Sequence, residues 1–544
     1  MRITEDSRRT VRDVIEQTAG LHGERTFLLV DDSEVSFGQL DRRANVLANG
    51  LHAWGVERQE NVLVMLDDNV DFIATWLALS KIAAVEVPIN RAYHGDLLIQ
   101  LVNDSRARRA IIATEYLPLF TEVYDQLQYL EQVICYPEGP EQDAPLTGDF
   151  RLQPFSVLED HPDTPPMVDG PAHNELAAIL YTSGTTGASK GVMIYHAHAY
   201  EYSNSTAQAL ELGADDVYFA PLPLFHIAGQ WAVVYAALIA DAKVVLKQRF
   251  SVSSYWETIR RYRANTTLLL DVMANYLLNQ PESPDDASTS LDKVHMSAVI
   301  PELDRFRQRF GVRVTTDVAS TEMCVPLRAG YQGEPHRFYD LDDYRVCGRE
   351  VSDRFQVRLV DEHDQEVAVG EIGELVVRSR DPWTLMGGYW NKPEATLRAW
   401  RNLWFHTGDA LYRDERGNYY FVDRLRDVIR RRGENISSTE VENAINLHPA
   451  VDECAVVGVA TAYGDEELLA VVVRDKAASL TEEELIEFLI SRLPAFMVPR
   501  YLDFSRDVPK TQTGKIQKYP LREQGLTPNT WDRTATTTCA GKQS

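Results

Sequence analysis

Cysteine is scarce: five in 544 residues, at Cys135, Cys324, Cys347, Cys454 and Cys539, with no Cys-x-x-Cys pair and no metal-type spacing. That excludes a disulfide framework, argues against a zinc site and suits a reducing cytoplasm. Positive charge is short as well. Fifty-five Lys and Arg against eighty-one Asp and Glu leave a formal net charge of -26, a poor balance for binding nucleic acid or anionic lipid. Long apolar runs are missing too. The most apolar segment, "AGQWAVVYAALIADAKVVL", is broken by Asp241 and Lys243 after 13 residues, short of the ~20 that span a bilayer. It reads as a buried helix followed by a strand. The N-terminal "MRITEDSRRTVRDV" is charged and has no apolar centre, so no signal peptide is expected. A soluble, cytoplasmic protein follows as the expectation.

What is present is an ordinary globular composition, 44% hydrophobic and 25% charged, in a chain long enough for several compact units. One stretch carries a phosphate signature: "YTSGTTGASKG", Tyr181 to Gly191, after the apolar run "LAAIL". Glycine backbone, hydroxyls and a lysine all favour oligophosphate oxygens. It is no Walker-A loop, because Ser189 holds the second glycine position and Gly191 follows Lys190 where Ser or Thr is needed. It is no dinucleotide fingerprint either, since Thr186 stands where G-x-G-x-x-G needs its second glycine.

Strand-like runs alternate with amphipathic helices through the first 350 or so residues, which implies an α/β architecture of helix-covered sheets. "EVSFGQLDRRANVLANGLHAWGV" places Leu40, Ala44, Leu47 and Leu51 on one helical face, with Gly55 as the stop; "NVLVML" reads as a buried strand and "DNVDFIATWLALSKIA" as the next helix. Two Pro-rich stretches, "CYPEGPEQDAPLTG" and "HPDTPPMVDGPAHN", read as surface connections. From about Val357 the pattern changes to hairpins, and Asp361, Glu362, Asp364 and Glu366 read as a solvated turn rather than a carboxylate site. Ser438 or Thr439 is placed to cap a helix carrying Val441, Ala444 and Ile445, opening a compact αβ unit that ends near Arg522. The tail "TPNTWDRTATTTCAGKQS" has neither pattern nor core and is expected to lack structure.

Four further segments accompany the phosphate loop: "ASTE" (Ala319–Glu322), "WFHTGD" (Trp404–Asp409), "DRLRDVIRRRGEN" (Asp423–Asn435) and "PKTQTGKIQK" (Pro509–Lys518). Singly each is weak. A Thr-Glu pair is commonplace, a lone TGD is more often a turn, and an arginine run is by default a solvated loop. In this order and at these separations they resemble the adenylate-forming superfamily of acyl-CoA synthetases, peptide-synthetase adenylation domains and luciferases, over about residues 10–522. "WLALSKIAAVEVPIN", "DDVYFAPLPLFHIAG" and "FVDRLRDVIRRRGENIS" look most like carnitine/crotonobetaine-type and medium-chain acyl-CoA ligases.

The resemblance implies a carboxylic acid activated by ATP to an acyl-adenylate, then passed to the thiol of CoA with release of AMP. Thr182, Ser183, Gly184, Thr185, Thr186, Gly187 and Lys190 would form the β,γ-phosphate loop. Val318, Ala319 and Ser320 would line the nucleotide; Thr321 would meet the α-phosphate and Glu322 would hold Mg2+. Asp409 would accept the ribose hydroxyls, Arg424 would pair with ribose or phosphate, and Lys515 would bridge carboxylate and α-phosphate during attack. It further implies an N-terminal adenylation domain, residues 1–424, with a β-rich subdomain at about 350–424. A mobile α+β C-terminal domain, residues 425–524, would swing about Arg426 and bring the loop of Arg432, Gly433, Glu434 and Asn435 to the thiol channel, leaving 525–544 as the tail. Ala298 and Val299 of "SAVIPE" would line the acyl pocket; His226 either lines it or is a buried turn histidine.

Three departures stand out. Val318-Ala319 replaces the family's Tyr-Gly, Ala188-Ser189 precedes the lysine where a proline is usual, and Val299 and Ile300 add bulk to a loop usually built of small residues. An alternative acceptor, such as a carrier protein acting in trans or an amine, stays open, as does the oligomeric state, with a dimer allowed. A nucleotide-binding pseudoenzyme is disfavoured because Lys515 and Glu322 are both present.

Overall fold

The computed structural model describes residues 9–137, 151–182, 189–330, 344–351, 353–425, 427–431, 434–460, 466–475, 479–510 and 516–537, with Arg430, Glu434 and Asn435 described by backbone only. The described residues fall into two compact units: residues up to 182, 189–357 and 377–405 in the first, and 358–376 and 406 onward in the second.

The first unit is α/β, as expected. One seven-stranded sheet runs, neighbour to neighbour, Arg151–Pro154, Gln132–Tyr136, Arg109–Ala113, Asn61–Met65, Val85–Pro88, Leu176–Thr182, Lys190–Tyr195. All its pairings are parallel except the last, an antiparallel hairpin. The strand Asn61–Met65 is buried throughout, which is why it reads as a continuous apolar run. Side chains from the sheet, such as Leu63, Val87 and Ile112, pack with Leu98 and Leu101 of the helix Gly95–Ser105 into one core. A second sheet is parallel except for its edge hairpin Thr26–Val30/Ser33–Ser36 and contains Thr266–Leu270 and Lys293–Ser297. Each expected helix forms. Phe37–Ala53 starts at a capping box between Ser36 and Gln39, and Gly55 just beyond its end has φ +90, a conformation only glycine adopts cheaply.

The apolar segment predicted as a buried helix is one, but Ala228–Tyr235 is wound as a π-helix before Ala236–Ile239 returns to α and Lys243–Val245 forms the strand. "HPDTPPMVDGPAHN" has neither helix nor strand; Asn49 bonds the carbonyls of Pro162 and Thr164, Arg12 that of Val168, and Arg58 those of Asp169 and Gly170. Most of the other Pro-rich stretch lies outside the described residues.

In the second unit the acidic turn is a solvated turn, with the Asp361 carboxylate accepting from the backbone of His363 and Gln365. The hairpin Phe405–Arg413/Tyr419–Arg424 leads into a four-stranded sheet of Val451–Ala460, Glu466–Arg474, Tyr501–Ser505 and Trp531–Asp532. Alternate residues of its two long strands feed two cores. Val456, Leu468 and Ala470 meet the helices Ser438–Asn446 and Glu482–Ile490, while Val457, Leu469 and Val471 meet Val508 and Leu521.

Two expectations are corrected. The cap of the Ser438–Asn446 helix is Ser437, whose hydroxyl accepts from Glu440 N; Ser438 and Thr439 turn instead to the Asp423 carboxylate. Part of the tail is built into the sheet: Trp531 packs on the second unit's core and Asp532 takes two bonds from Arg500 at 3.1 and 2.9 Å. One aromatic and one ion pair anchor a strand too short to show as a pattern.

Candidate active site

The phosphate stretch is the tip of a hairpin. Thr182 pairs with Lys190 in the Leu176–Thr182/Lys190–Tyr195 ladder, and the Thr182 hydroxyl reaches the Lys190 carbonyl at 3.5 Å. Ser183, Gly184, Thr185, Thr186 and Gly187 lie outside the described residues, but the ladder fixes both ends of their loop. Gly191 pairs with Tyr181, and a β-carbon there would stand 2.7 Å from Ile179 Cγ2 and 3.1 Å from the tyrosine ring. Packing, then, demands the glycine after the lysine.

The other edge of the Lys190–Tyr195 strand takes up Met386–Trp390. Gly387 N donates to Met193 O at 2.9 Å, Met193 N to Gly388 O at 3.0 Å and Trp390 N to Gly191 O at 2.7 Å. Gly388 has φ +125, and a β-carbon on Gly387 would sit 2.5 Å from the Tyr195 hydroxyl. This strip delivers Tyr389, whose ring faces the Lys190 ammonium at 4.5 Å and whose hydroxyl donates to Glu322 Oε1 at 3.1 Å. Sequence reasoning missed Tyr389; its only signal was the glycine pair before it.

Glu322 stands on a tight turn. Asp317–Ser320 and Cys324–Arg328 are antiparallel with Ser320 opposite Cys324, so Thr321, Glu322 and Met323 form the tip. The Ser320 hydroxyl accepts from Glu322 N at 3.2 Å, and Glu322 O accepts from Met386 N at 3.0 Å. Thr321 is buried, whereas Val318, Ala319 and Ser320 are half-buried. Behind the turn, His295 Nε2 lies 3.3 Å from Asp317 Oδ1 with both side chains buried, tying the strand before the "SAVIPE" loop to the strand before Glu322. In that loop Ala298 is exposed, while Val299 and Ile300 are buried.

His226 is half-buried, and its Nδ1 accepts from Ala228 N at 3.2 Å, committing one ring nitrogen to the turn that opens the π-helix. Gly229 allows that turn, because a β-carbon would fall 2.2 Å from Pro223 O. Leu224 N is held at 2.7 Å by Asp68, whose carboxyl is pushed up to about 6 by burial despite the opposing Arg91.

In the second unit Asp409 and Arg424 are cross-strand partners, with Nη1 of the arginine 3.0 Å from Oδ1 of the buried aspartate. Gly408, at φ +73, turns the strand, and the Thr407 hydroxyl accepts from Asp409 N at 3.0 Å. Buried Glu374 orders this turn through His406 Nδ1 at 2.9 Å and Gly408 N at 3.1 Å. Arg424 is about half exposed, so the pair presents a cation beside a buried carboxylate. Arg426, Arg432, Gly433 and Lys515 lie outside the described residues; Glu434 and Asn435 belong by backbone to the strand Glu434–Ile436, paired with Ile429–Arg431. The ends of the Lys515 loop are joined by a Lys510–Ile516 bridge and by Gln517 N to Pro509 O at 2.7 Å. The structure therefore brings Lys190 and Glu322 together at Tyr389 within the first unit, with Thr182 opposite Lys190 and Thr321 beside Glu322 on its turn, and Asp409 with Arg424 within the second.

The family model of the AMP-binding enzymes matches residues 15–390, and that of the AMP-binding enzyme C-terminal domain matches residues 440–515. The chain belongs to the AMP-binding enzyme family. It is 32% identical to a crotonobetaine/carnitine–CoA ligase of Citrobacter koseri over 94% of this chain and 98% of the relative, and 31% identical to one of Escherichia coli over the same shares. Among solved structures, an anthranilate CoA ligase in complex with anthranoyl-AMP superposes with a TM-score of 0.82 at 25% identity, covering 98% of each chain. ATP-bound MatB from Rhodopseudomonas palustris has the same fold, with a TM-score of 0.80 at 24% identity over 95% of this chain and 99% of that one. The chain is an acid–thiol ligase: it activates an acid as its adenylate and transfers the acyl group to CoA. Among the described residues no helix is long and apolar enough to cross a membrane.

Proposed function

We propose that these residues, together with Lys515, Arg426 and Gly433 outside the described ones, divide the two half-reactions between them. The observation that carries the reading is the Lys190–Tyr389–Glu322 cluster at the base of the phosphate hairpin, an ammonium and a carboxylate held together by one aromatic side chain. In the first half-reaction a carboxylate oxygen of the acid attacks the α-phosphorus of ATP, the bond to the bridging oxygen breaks, and pyrophosphate leaves. Lys190 with the hairpin loop grips the departing β,γ-phosphates, and Thr321 meets the α-phosphate. Asp409 and Arg424 hold the ribose, and Lys515 bridges the attacking carboxylate and the α-phosphate oxygens.

Glu322 is a hard oxygen donor at a turn tip, and among the described residues no cluster of three or more His, Cys, Asp or Glu makes a complete metal cage. A cation held by one carboxylate together with nucleotide oxygens suits Mg2+, with Glu322 as its protein ligand. Bound there, Mg2+ supplies positive charge that offsets the charge building on the phosphates. In the second half-reaction the C-terminal domain, residues 425–524, turns about Arg426. Lys515 withdraws, and Gly433, Glu434 and Asn435 line the path of the CoA thiol, which attacks the acyl carbon and expels AMP. His226, Ala298 and Val299 border the acid.

The acid is a small carboxylate carrying a quaternary ammonium, the class to which crotonobetaine and carnitine belong; the relatives' names support this choice. A panel of betaine-type acids and neutral acids of equal size, assayed by ATP–pyrophosphate exchange without CoA and then for thioester with CoA, tests it. The betaine-type acids are expected to support exchange at least about tenfold better in kcat/KM, about the discrimination that one cation recognised by aromatic rings or a carboxylate provides. Preference for the neutral acids would overturn the substrate assignment.

A further inference from the structure

The strip that follows Tyr389 is fastened to a single residue of a distant helix. Asp104 lies in the last turn of Gly95–Ser105. Its backbone carbonyl accepts from Trp390 Nε1 at 3.0 Å and from Asn391 Nδ2 at 2.7 Å, and Oδ1 lies 3.3 Å from Lys392 Nζ. Oδ2 accepts from the Tyr181 hydroxyl at 2.8 Å. Tyr181 sits one residue before Thr182, opposite Gly191, in the strand that enters the phosphate loop. Asp104 thus holds both the entrance of that loop and the strip that carries Tyr389. Burial and the neighbouring carboxylate push the Tyr181 phenol well above its ordinary range, so it remains a donor to Asp104.

Tyr389 is fixed on its other side by the Thr396 hydroxyl, which accepts from its backbone N at 2.9 Å. Its ring then offers a negative face to a lysine whose long side chain is otherwise free to take many rotamers. Its hydroxyl restrains the carboxylate of Glu322. One side chain, addressed at two ends, sets two groups of opposite charge that arise from separate elements.

We propose that Tyr389 is a positioning residue for the adenylation step, holding Lys190 in its phosphate-gripping arrangement, and that Asp104 acts through Tyr389 by anchoring the segment that carries it. The proposal rests on the assignment of Lys190 to the β,γ-phosphates. A positioning role of this kind acts on binding of ATP and pyrophosphate and spares the acid, whereas a merely structural role would lower the amount of active enzyme and leave both Michaelis constants alone.

The test is ATP–pyrophosphate exchange by the full chain with Tyr389→Leu, Tyr389→Phe, Asp104→Ala and the Asp104→Ala/Tyr389→Leu pair. Tyr389→Leu is expected to raise KM for pyrophosphate about tenfold, the size of a partly desolvated cation–π contact, with KM for the acid within about twofold of wild type. Tyr389→Phe, which keeps the ring, should leave KM for pyrophosphate within about twofold. Asp104→Ala should raise it about threefold, and the pair should show less than the product of the single effects, as coupled residues do. A wild-type KM in Tyr389→Leu, or an equal rise in leucine and phenylalanine variants, would overturn the proposal. Asp104→Ala removes the carboxylate contacts to Lys392 and Tyr181 and keeps the carbonyl that holds Trp390 and Asn391, so an unchanged KM there would overturn the anchoring role of the Asp104 carboxylate. If Tyr389→Leu does not fold, Tyr389→Met, which also lacks the ring, takes its place, and a wild-type KM there would overturn the proposal. Lys190→Met separates the two levels: if it leaves KM for pyrophosphate unchanged, the phosphate assignment fails; if it raises KM while Tyr389→Leu does not, the positioning proposal fails.

Discussion

At Gly191 a side chain would collide with Ile179 and the Tyr181 ring, and at Gly387 with the Tyr195 hydroxyl. These two glycines are required by packing, one beside the lysine of the phosphate stretch and one in the strip that carries Tyr389. Val318 stands where the resemblance to the family calls for an aromatic residue beside adenine. It is half-buried and pairs with Leu327 across the Glu322 hairpin, where an aromatic ring usually borders adenine. Val318→Tyr is therefore expected to tighten ATP, by up to the ~1–3 kcal/mol a ring stacked on a base contributes elsewhere, without changing which acids are used. Equilibrium dialysis of ATP against both proteins measures it. Unchanged or weaker binding would mean that adenine is packed by another group.

Among the elements, those whose signal is a repeating one were legible in the sequence. The helix Val70–Lys81 and the strand Asn61–Met65 follow directly from periodicity and from an unbroken apolar run. Asp409 and Arg424 were legible only as members of a family pattern; the cross-strand register that pairs them is not written in either segment alone. Tyr389 was not legible, because its role arises from a strip that adds to the free edge of a hairpin far away in the chain. The start of the helix Ser438–Asn446 was misplaced by one or two residues for a tertiary reason. Asp423, from the strand Tyr419–Arg424, accepts from Ser438 N at 2.7 Å and draws Ser438 and Thr439 to itself, leaving the capping bond to Ser437. Ser437→Ala should thus cost about 1 kcal/mol, speeding hydrogen exchange of amides in that helix about fivefold, while Thr439→Ala, whose hydroxyl contact to Asp423 is long at 3.4 Å, changes exchange less. Equal effects in the two variants would contradict the assignment of the cap.

For the whole molecule, two separate jobs fall on two stretches of chain: Lys190 and Glu322 in the first unit, and Lys515 near the end of the second. A net charge of -26 makes the local cations matter, since a tetra-anionic nucleotide must be drawn to a chain that repels it overall. Lys515, on the proposed reading, serves adenylation and is dispensable once the adenylate exists. The direct measurement compares Lys515→Ala with wild type in acid-dependent ATP–pyrophosphate exchange, and again in thioester synthesis from preformed acyl-adenylate and CoA. Exchange is predicted to fall about 10²–10³-fold, the effect of removing one well-placed cation from the α-phosphate, while thioester synthesis stays close to wild type. Equal losses in the two assays would contradict the account.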